Sequence, residues 1–186
     1  MNVLLAPNSM KGSLNAFDFA DTMEKAFLDC SPRFSIRKVP VADGGDFTGD
    51  VLKRALHGRE IQTEVHDPLG RVIPSKYTLS GKTAVIEMAD ASGMKQLSSG
   101  ELDPMETSSY GTGQLIAHAM KSGCSEIWLG IGGSATVDGG AGMLEALGFR
   151  LLDRKKRSLE GKGKNLEQIT FIEKPESLTG VAFKII

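Results

Sequence analysis

Glu126-Ile127-Trp128-Leu129-Gly130-Ile131-Gly132-Gly133-Ser134-Ala135-Thr136-Val137-Asp138-Gly139-Gly140-Ala141-Gly142-Met143 is the stretch on which the fold reading turns. Glu126 to Ile131 is an apolar run of strand length, and Met143 to Leu147 continues as a helix that stops at Gly148. Six of the thirteen residues from Gly130 to Gly142 are glycine, more than a tight turn needs. A strand feeding a helix through such a loop is the repeating unit of α/β proteins. Helix N-termini present unpaired N–H groups and the positive end of the helix dipole, and glycine lets a phosphate approach the backbone. Gly132, Gly133, Gly139 and Gly140 are therefore candidate cofactor contacts, with the hydroxyls of Ser134 and Thr136 as added donors.

The same segment supports a rival reading. Gly130-x-Gly132-x-x-Ala135 fits the glycine/alanine form of the dinucleotide fingerprint, and Asp153 follows about 20 residues later, where a ribose-binding acid falls. An NAD-binding oxidoreductase is thus the alternative. Against it, Thr136 to Gly140 lengthens the loop, whereas the fingerprint starts its helix at the third small residue.

Toward the N-terminus, Val3 to Ala6 reads as a buried strand ending at Pro7. Asn15 and Asp18 resemble a capping box for a helix whose apolar stripe is Ala16, Phe19, Ala20, Met23 and Phe27. Ser35 to Ala42 reads as a second strand, followed by a helix carrying Val51, Leu52 and Ala55 up to Gly58. Strand, helix, strand, helix implies parallel pairing. Ile61–Val65, Arg71–Leu79 and Thr83–Met88 then read as strands joined by Pro68-Leu69-Gly70 and Ser80-Gly81-Lys82, turns short enough for antiparallel pairing. A helix is expected from Gln114 to Lys121 and strands at Phe149–Leu152 and Val181–Ile186. Because the last of these lacks a closing turn, the chain is expected to be a fragment.

The 186 residues carry a formal net charge of −1, which argues against binding nucleic acid or a membrane surface through a basic face. The Arg154-Lys155-Lys156-Arg157 run reads as a solvated turn. No signal peptide or membrane span is visible, and Cys30 and Cys124 lack metal-ligand spacing, so reduced thiols in a cytoplasmic protein are expected.

Other strand ends carry chemistry too. Lys11 sits beside Gly12 and Ser13 without Walker A spacing, as a point charge for an anion. Asp43 and Asp46 flank two glycines, Glu87 and Asp90 precede Ala91-Ser92-Gly93, and Asp138 lies inside the third glycine loop. Carboxylates beside open loops at carboxyl ends of strands suit Mg²⁺ and a hydroxyl-bearing substrate, as in a phosphoryl-transfer cleft.

Six motifs, taken in order, resemble the glycerate kinase family, type 1. They are Pro7-Asn8-Ser9-Met10-Lys11-Gly12-Ser13, Val39-Pro40-Val41-Ala42-Asp43-Gly44-Gly45, Asp67-Pro68-Leu69-Gly70, Ile86-Glu87-Met88-Ala89, Tyr110-Gly111-Thr112-Gly113, and Gly130 to Thr136 with Asp138 to Met143. The likeness runs to about Ile169. It departs at Asn8, Met10, Asp46-Phe47 and Val137, where the family usually has Asp, Phe, Glu-Gly and Asn. Asn8 cannot serve as a base, which directs that role to Asp43.

The resemblance implies two α/β domains, one flavodoxin-like, the other built from both ends of a longer chain. Residues 1–62 would be the N-terminal part of the discontinuous domain, and residues 63–186 a second α/β domain, incomplete at its C-terminus. It implies phosphorylation of D-glycerate by ATP with Mg²⁺, to 2-phosphoglycerate in preference to 3-phosphoglycerate, with a homo-oligomer possible. Within that reading Lys11 and Asp43 are the catalytic candidates, Ser9, Ser13, Ser92 and Thr112 the substrate-binding ones, and Asp138 the metal ligand. An inactive fragment or homologue is the remaining alternative.

Overall fold

The computed structural model describes residues 1–176 and 180–186. The chain opens with β1 (Asn2–Leu5), α1 (Ala16–Cys30) and β2 (Ser35–Lys38), and β1 and β2 pair in parallel from Asn2↔Ser35 to Leu5↔Lys38. The cap of α1 is the expected one. Asn15 Oδ1 accepts the N–H groups of Phe17 and Asp18, and Asn15 Nδ2 donates back to Asp18 Oδ2 at 2.7 Å. β2 is shorter than expected because Pro7, on the β1 side, has no N–H to donate to Val39 and extend the ladder. The two chains still run side by side beyond the strands, with Val39 N donating to Leu5 O and Val41 N to Pro7 O. The loops that carry Lys11 and Asp43 therefore leave the same end of this sheet.

After α2 (Thr48–Ala55) comes a five-stranded sheet in the order β3 (Arg59–His66), β4 (Val72–Ser80), β5 (Thr83–Glu87), β6 (Glu126–Gly130), β9 (Ala182–Ile185). β3, β4 and β5 form an antiparallel meander, and β5, β6 and β9 are parallel. The sheet is mixed, as the short turns predicted for its first half require. Asp67 closes the first turn, its Oδ1 accepting the N–H groups of Leu69 and Arg71 at 2.9 Å, with Gly70 at φ +87°. The division expected at 62/63 falls inside β3, between residues paired with Lys76 and Ser75.

β3 runs in the same direction as β5, so the carboxyl ends of β3, β5, β6 and β9 share one edge. One face of the sheet packs on α4 (Tyr110–Lys121), where Ile86, Ile127, Leu115 and Ile116 are fully buried. Each such side chain contributes about 1.5–3 kcal/mol relative to exposure. The other face lies under α2, with Thr78 Oγ1 donating to Gly49 O and Ser80 Oγ to Leu56 O. α4 begins four residues earlier than the sequence suggests. Gly111 and Gly113 are poor helix formers, but a Cβ there would strike His66 O and Met143 O, so packing overrides propensity.

α3 (Ala89–Ser92) follows β5, and α5 (Ala141–Ala146) follows the glycine loop. β7 (Arg150–Leu152) and β8 (Phe171–Glu173) form a separate antiparallel pair. Among the described residues both cysteines are free, and no helix is long and apolar enough to cross a membrane.

Candidate functional site

The carboxyl edge of the parallel strands is where the loops converge. Met88 N donates to Gly130 O at 2.8 Å, Gly132 N to Gly44 O at 3.0 Å, Met94 N to Gly133 O at 3.0 Å and Ala135 N to Ser92 O at 2.9 Å. The Asp43–Asp46 loop thus lies backbone to backbone on the loop after β6. A Cβ at Gly132 would stand 2.6 Å from Gly45 Cα, and one at Gly130 would stand 2.7 Å from Gly44 O. These glycines permit loop-to-loop contact, a use the sequence reading assigned to phosphate.

Asp43 is exposed at this junction, and its Oδ1 accepts Gly45 N at 3.3 Å. It does not cap α2. The residue before α2 is Phe47 at φ 69°, with no side-chain cap, and the helix N-terminus is instead met from β5, where Glu87 Oε1 accepts Gly49 N at 2.5 Å. Glu87 is 6 % exposed, and burial, reinforced by the charge of Asp90, pushes its carboxyl up to about 7. Beside it Lys95 Nζ lies 2.6 Å from Asp90 Oδ1 and 3.4 Å from Asp46 Oδ1. That Asp46 oxygen is buried and makes no hydrogen bond.

Asp138 needs correcting. Its carboxylate accepts Ser109 N and Ser109 Oγ at 2.7 Å, Gly140 N at 3.0 Å and Gly142 N at 3.2 Å, and the residue is 1 % exposed. With three of these donors on Oδ2, one on Oδ1 and the residue buried, it organises the loop and is not an exposed metal ligand. It also fills the anion position expected for phosphate. At the start of α5, Gly140 and Gly142 donate to its carboxylate, Ala141 N to its carbonyl, and Met143 N to Ser109 Oγ. Gly139 and Gly140 serve the turn itself, at φ +60° and +78°.

Other assignments shift as well. Ser92 and Thr112 are fully buried and bond to each other at 2.8 Å, pinning α3 to α4, so neither faces a substrate. Ser134 and Thr136 are half-buried, with Thr136 N donating to Ser134 Oγ at 3.0 Å. Lys11 and Ser13 are exposed and Ser9 half-buried on the loop after β1. The dinucleotide reading fails. Asp153 closes a turn by accepting Lys155 N, Arg157 N and Arg157 Nε, β7 lies outside the main sheet, and α5 begins at Ala141, well past Ala135.

Sequence reasoning noted Asp46, Glu87 and Asp90 at strand ends but assigned them no role, and it missed Lys95. An acid closing the apolar run Ala84-Val85-Ile86 was the available signal for Glu87. Lys95 has none, since its partners are set by how α3 folds over the loop. For a divalent cation the donor set to consider is Asp46 with Asp90. Mg²⁺ takes one or two carboxylates together with substrate phosphates and water, and Asp46 Oδ1, which makes no hydrogen bond and has only the Lys95 ammonium near it, fits that demand. Among the described residues no group of three or more His, Cys, Asp or Glu side chains converges as an all-protein cage.

The glycerate kinase family matches residues 3–186. The chain is 42% identical over 175 residues to glycerate kinase of Bacillus subtilis and 42% identical over 175 residues to glycerate 2-kinase of Escherichia coli, covering 93% of this chain and 46% of each relative. A crystal structure of a Salmonella typhimurium LT2 protein assigned as glycerate kinase 2 aligns at TM-score 0.78 and 43% identity, over 93% of this chain and 47% of that one. The chain therefore spans about half the length of the relatives it matches. On this evidence, and with the glycine loops placed as described, the chain belongs to the glycerate kinase family.

Proposed function

We propose that the protein carrying this chain transfers the γ-phosphoryl group of ATP to a hydroxyl of D-glycerate, giving 2-phosphoglycerate. The observation that carries this is the seating of the Asp43 loop on the Gly130–Gly133 loop at the carboxyl edge of the sheet, in a chain of this family. The name of the Escherichia coli relative supports the 2-position.

In this reading the glycerate hydroxyl oxygen attacks phosphorus, ADP leaves, and Asp43 accepts or orients the hydroxyl proton. Lys11 offers a mobile positive charge to the glycerate carboxylate or a transferring phosphate oxygen. Asp46 and Asp90 would hold Mg²⁺, and Lys95, which bridges those two carboxylates, stands beside that position as a positive charge for the phosphates. Mg²⁺, when bound, supplies neutralisation of phosphate charge. Two α/β domains, one of them flavodoxin-like, remain part of the proposal, with residues 1–62 as the N-terminal part of the discontinuous domain and 63–186 as the second. The separate parallel β1–β2 pair supports two units, with the boundary ahead of β3, because one at 62/63 would cut that strand. The free thiols suit the cytoplasmic location proposed with it.

The test is ADP release from the protein at its native length, given Mg·ATP and D-glycerate. Coupling the product to enolase, which dehydrates 2-phosphoglycerate directly, fixes the position. No glycerate-dependent ADP release refutes the kinase reading, and product that enolase leaves untouched refutes the 2-position.

A further inference from the structure

A cavity opens at the same sheet edge, on the α4 side, and no role has yet fallen to it. It measures about 340 Å³, at the lower end of the ~300–1,000 Å³ that small-molecule sites occupy. Its floor is the Asp67–Gly70 turn at the carboxyl end of β3, and Tyr110, the first residue of α4, forms one wall with His66. Both segments are motifs of the sequence reading that the phosphoryl-transfer site did not absorb. The two rings lie with centroids 5.6 Å apart, inclined at 38°, and make a half-buried aromatic surface. The opposite wall carries Glu145, Glu160 and Lys162.

The charge of that wall selects the occupant. Glu145 uses Oε2 to accept Gly161 N at 2.8 Å, and Lys162 is already paired with Glu160 at 3.1 Å. What remains is acidic, so it repels a phosphate or the carboxylate of glycerate and accepts amino and hydroxyl hydrogens. A flat ring against the aromatic wall with hydroxyls toward the acids describes a nucleoside. The cavity also adjoins the third glycine loop, because Ser108 Oγ donates to Gly161 O at 2.6 Å and both residues pack against Gly142.

We propose that this cavity is a nucleoside site, and, resting on the kinase reading above, that it takes the adenosine part of ATP. The base stacks on Tyr110 and His66, the ribose hydroxyls donate to Glu145 and Glu160, and the phosphates leave toward the loop after β6.

The experiment measures Mg·ATP, adenosine and D-glycerate binding by calorimetry, alongside ADP release, on the native-length protein and on Tyr110→Ala and Leu69→Trp. Leu69 sits at the exposed tip of the turn, so the larger ring fills the cavity without removing core packing. Both variants are expected to keep their circular dichroism, to weaken Mg·ATP and adenosine by about tenfold or more, and to leave D-glycerate unchanged. Glycerate phosphorylation with ATP affinity indifferent to both substitutions overturns the cavity assignment and leaves the kinase reading standing. No phosphorylation, with adenosine binding still lost in both variants, overturns the kinase reading and upholds the nucleoside site. Adenosine that never binds the wild type overturns the site.

Discussion

Glu87→Gln isolates one buried group whose energetics the structure makes calculable. Glu87 lies under the start of α2 at 6 % exposure, with its carboxyl pushed from the ordinary 4.5 to about 7, chiefly by burial and then by Asp90. That displacement corresponds to about 3 kcal/mol between the two protonation states. The folded protein holds this proton more tightly than the unfolded chain does. The associated stability is therefore complete below about pH 4.5 and is lost as pH rises through about 7. Gln keeps an oxygen to accept Gly49 N–H and does not titrate. At pH 5 the variant should already be more stable than wild type by roughly 1 kcal/mol, and at pH 8 by up to about 3 kcal/mol. Glu60 and Glu101, both held down at about 2 by their hydrogen-bond partners, change below this window. Urea titrations of the native-length protein at pH 5 and pH 8, followed by the fluorescence of Trp128 and by far-UV circular dichroism, read the difference directly. Stability curves that run parallel with pH for the two proteins would show that Glu87 is not the buried acid described here.

Asp43→Asn should fold normally, since Asp43 caps nothing, while kcat falls by about 10²-fold or more; near-normal turnover would remove Asp43 as base. Lys11→Ala should change stability by no more than about 0.5 kcal/mol, because the side chain is exposed, and should still raise KM for glycerate or depress kcat. Unchanged kinetics would take Lys11 out of the site. Asp46→Asn and Asp138→Asn should separate the two carboxylate roles. The first should weaken Mn²⁺ binding, read by electron paramagnetic resonance with ATP present, and leave the thermal midpoint near wild type. The second should lower stability by about 2–3 kcal/mol, because an amide group turned toward Ser109, Gly140 and Gly142 cannot accept all their hydrogens. Equal Mn²⁺ loss in both would restore Asp138 as a ligand.

Features written within a few residues were legible from the sequence. The Asn15 cap, the Asp67–Gly70 turn, the antiparallel meander and the strand-to-helix loop from Gly130 to Gly142 each depend on local hydrogen bonds, periodicity or a positive φ. The sequence also specified its family, since six ordered motifs survive any uncertainty about what each one does. What the motif residues do was decided only by packing. Glu87 meets Gly49 across 38 residues, Asp138 meets Ser109 across 29, and Thr112 meets Ser92 across 20. None of those partners is implied by spacing along the chain. A buried carboxylate surrounded by N–H groups becomes a structural anchor, and a half-exposed one whose oxygen makes no hydrogen bond and meets only the Lys95 ammonium stays open to a ligand. Asp138 and Asp46 look alike beside their glycines in the sequence, and only the three-dimensional supply of donors tells them apart.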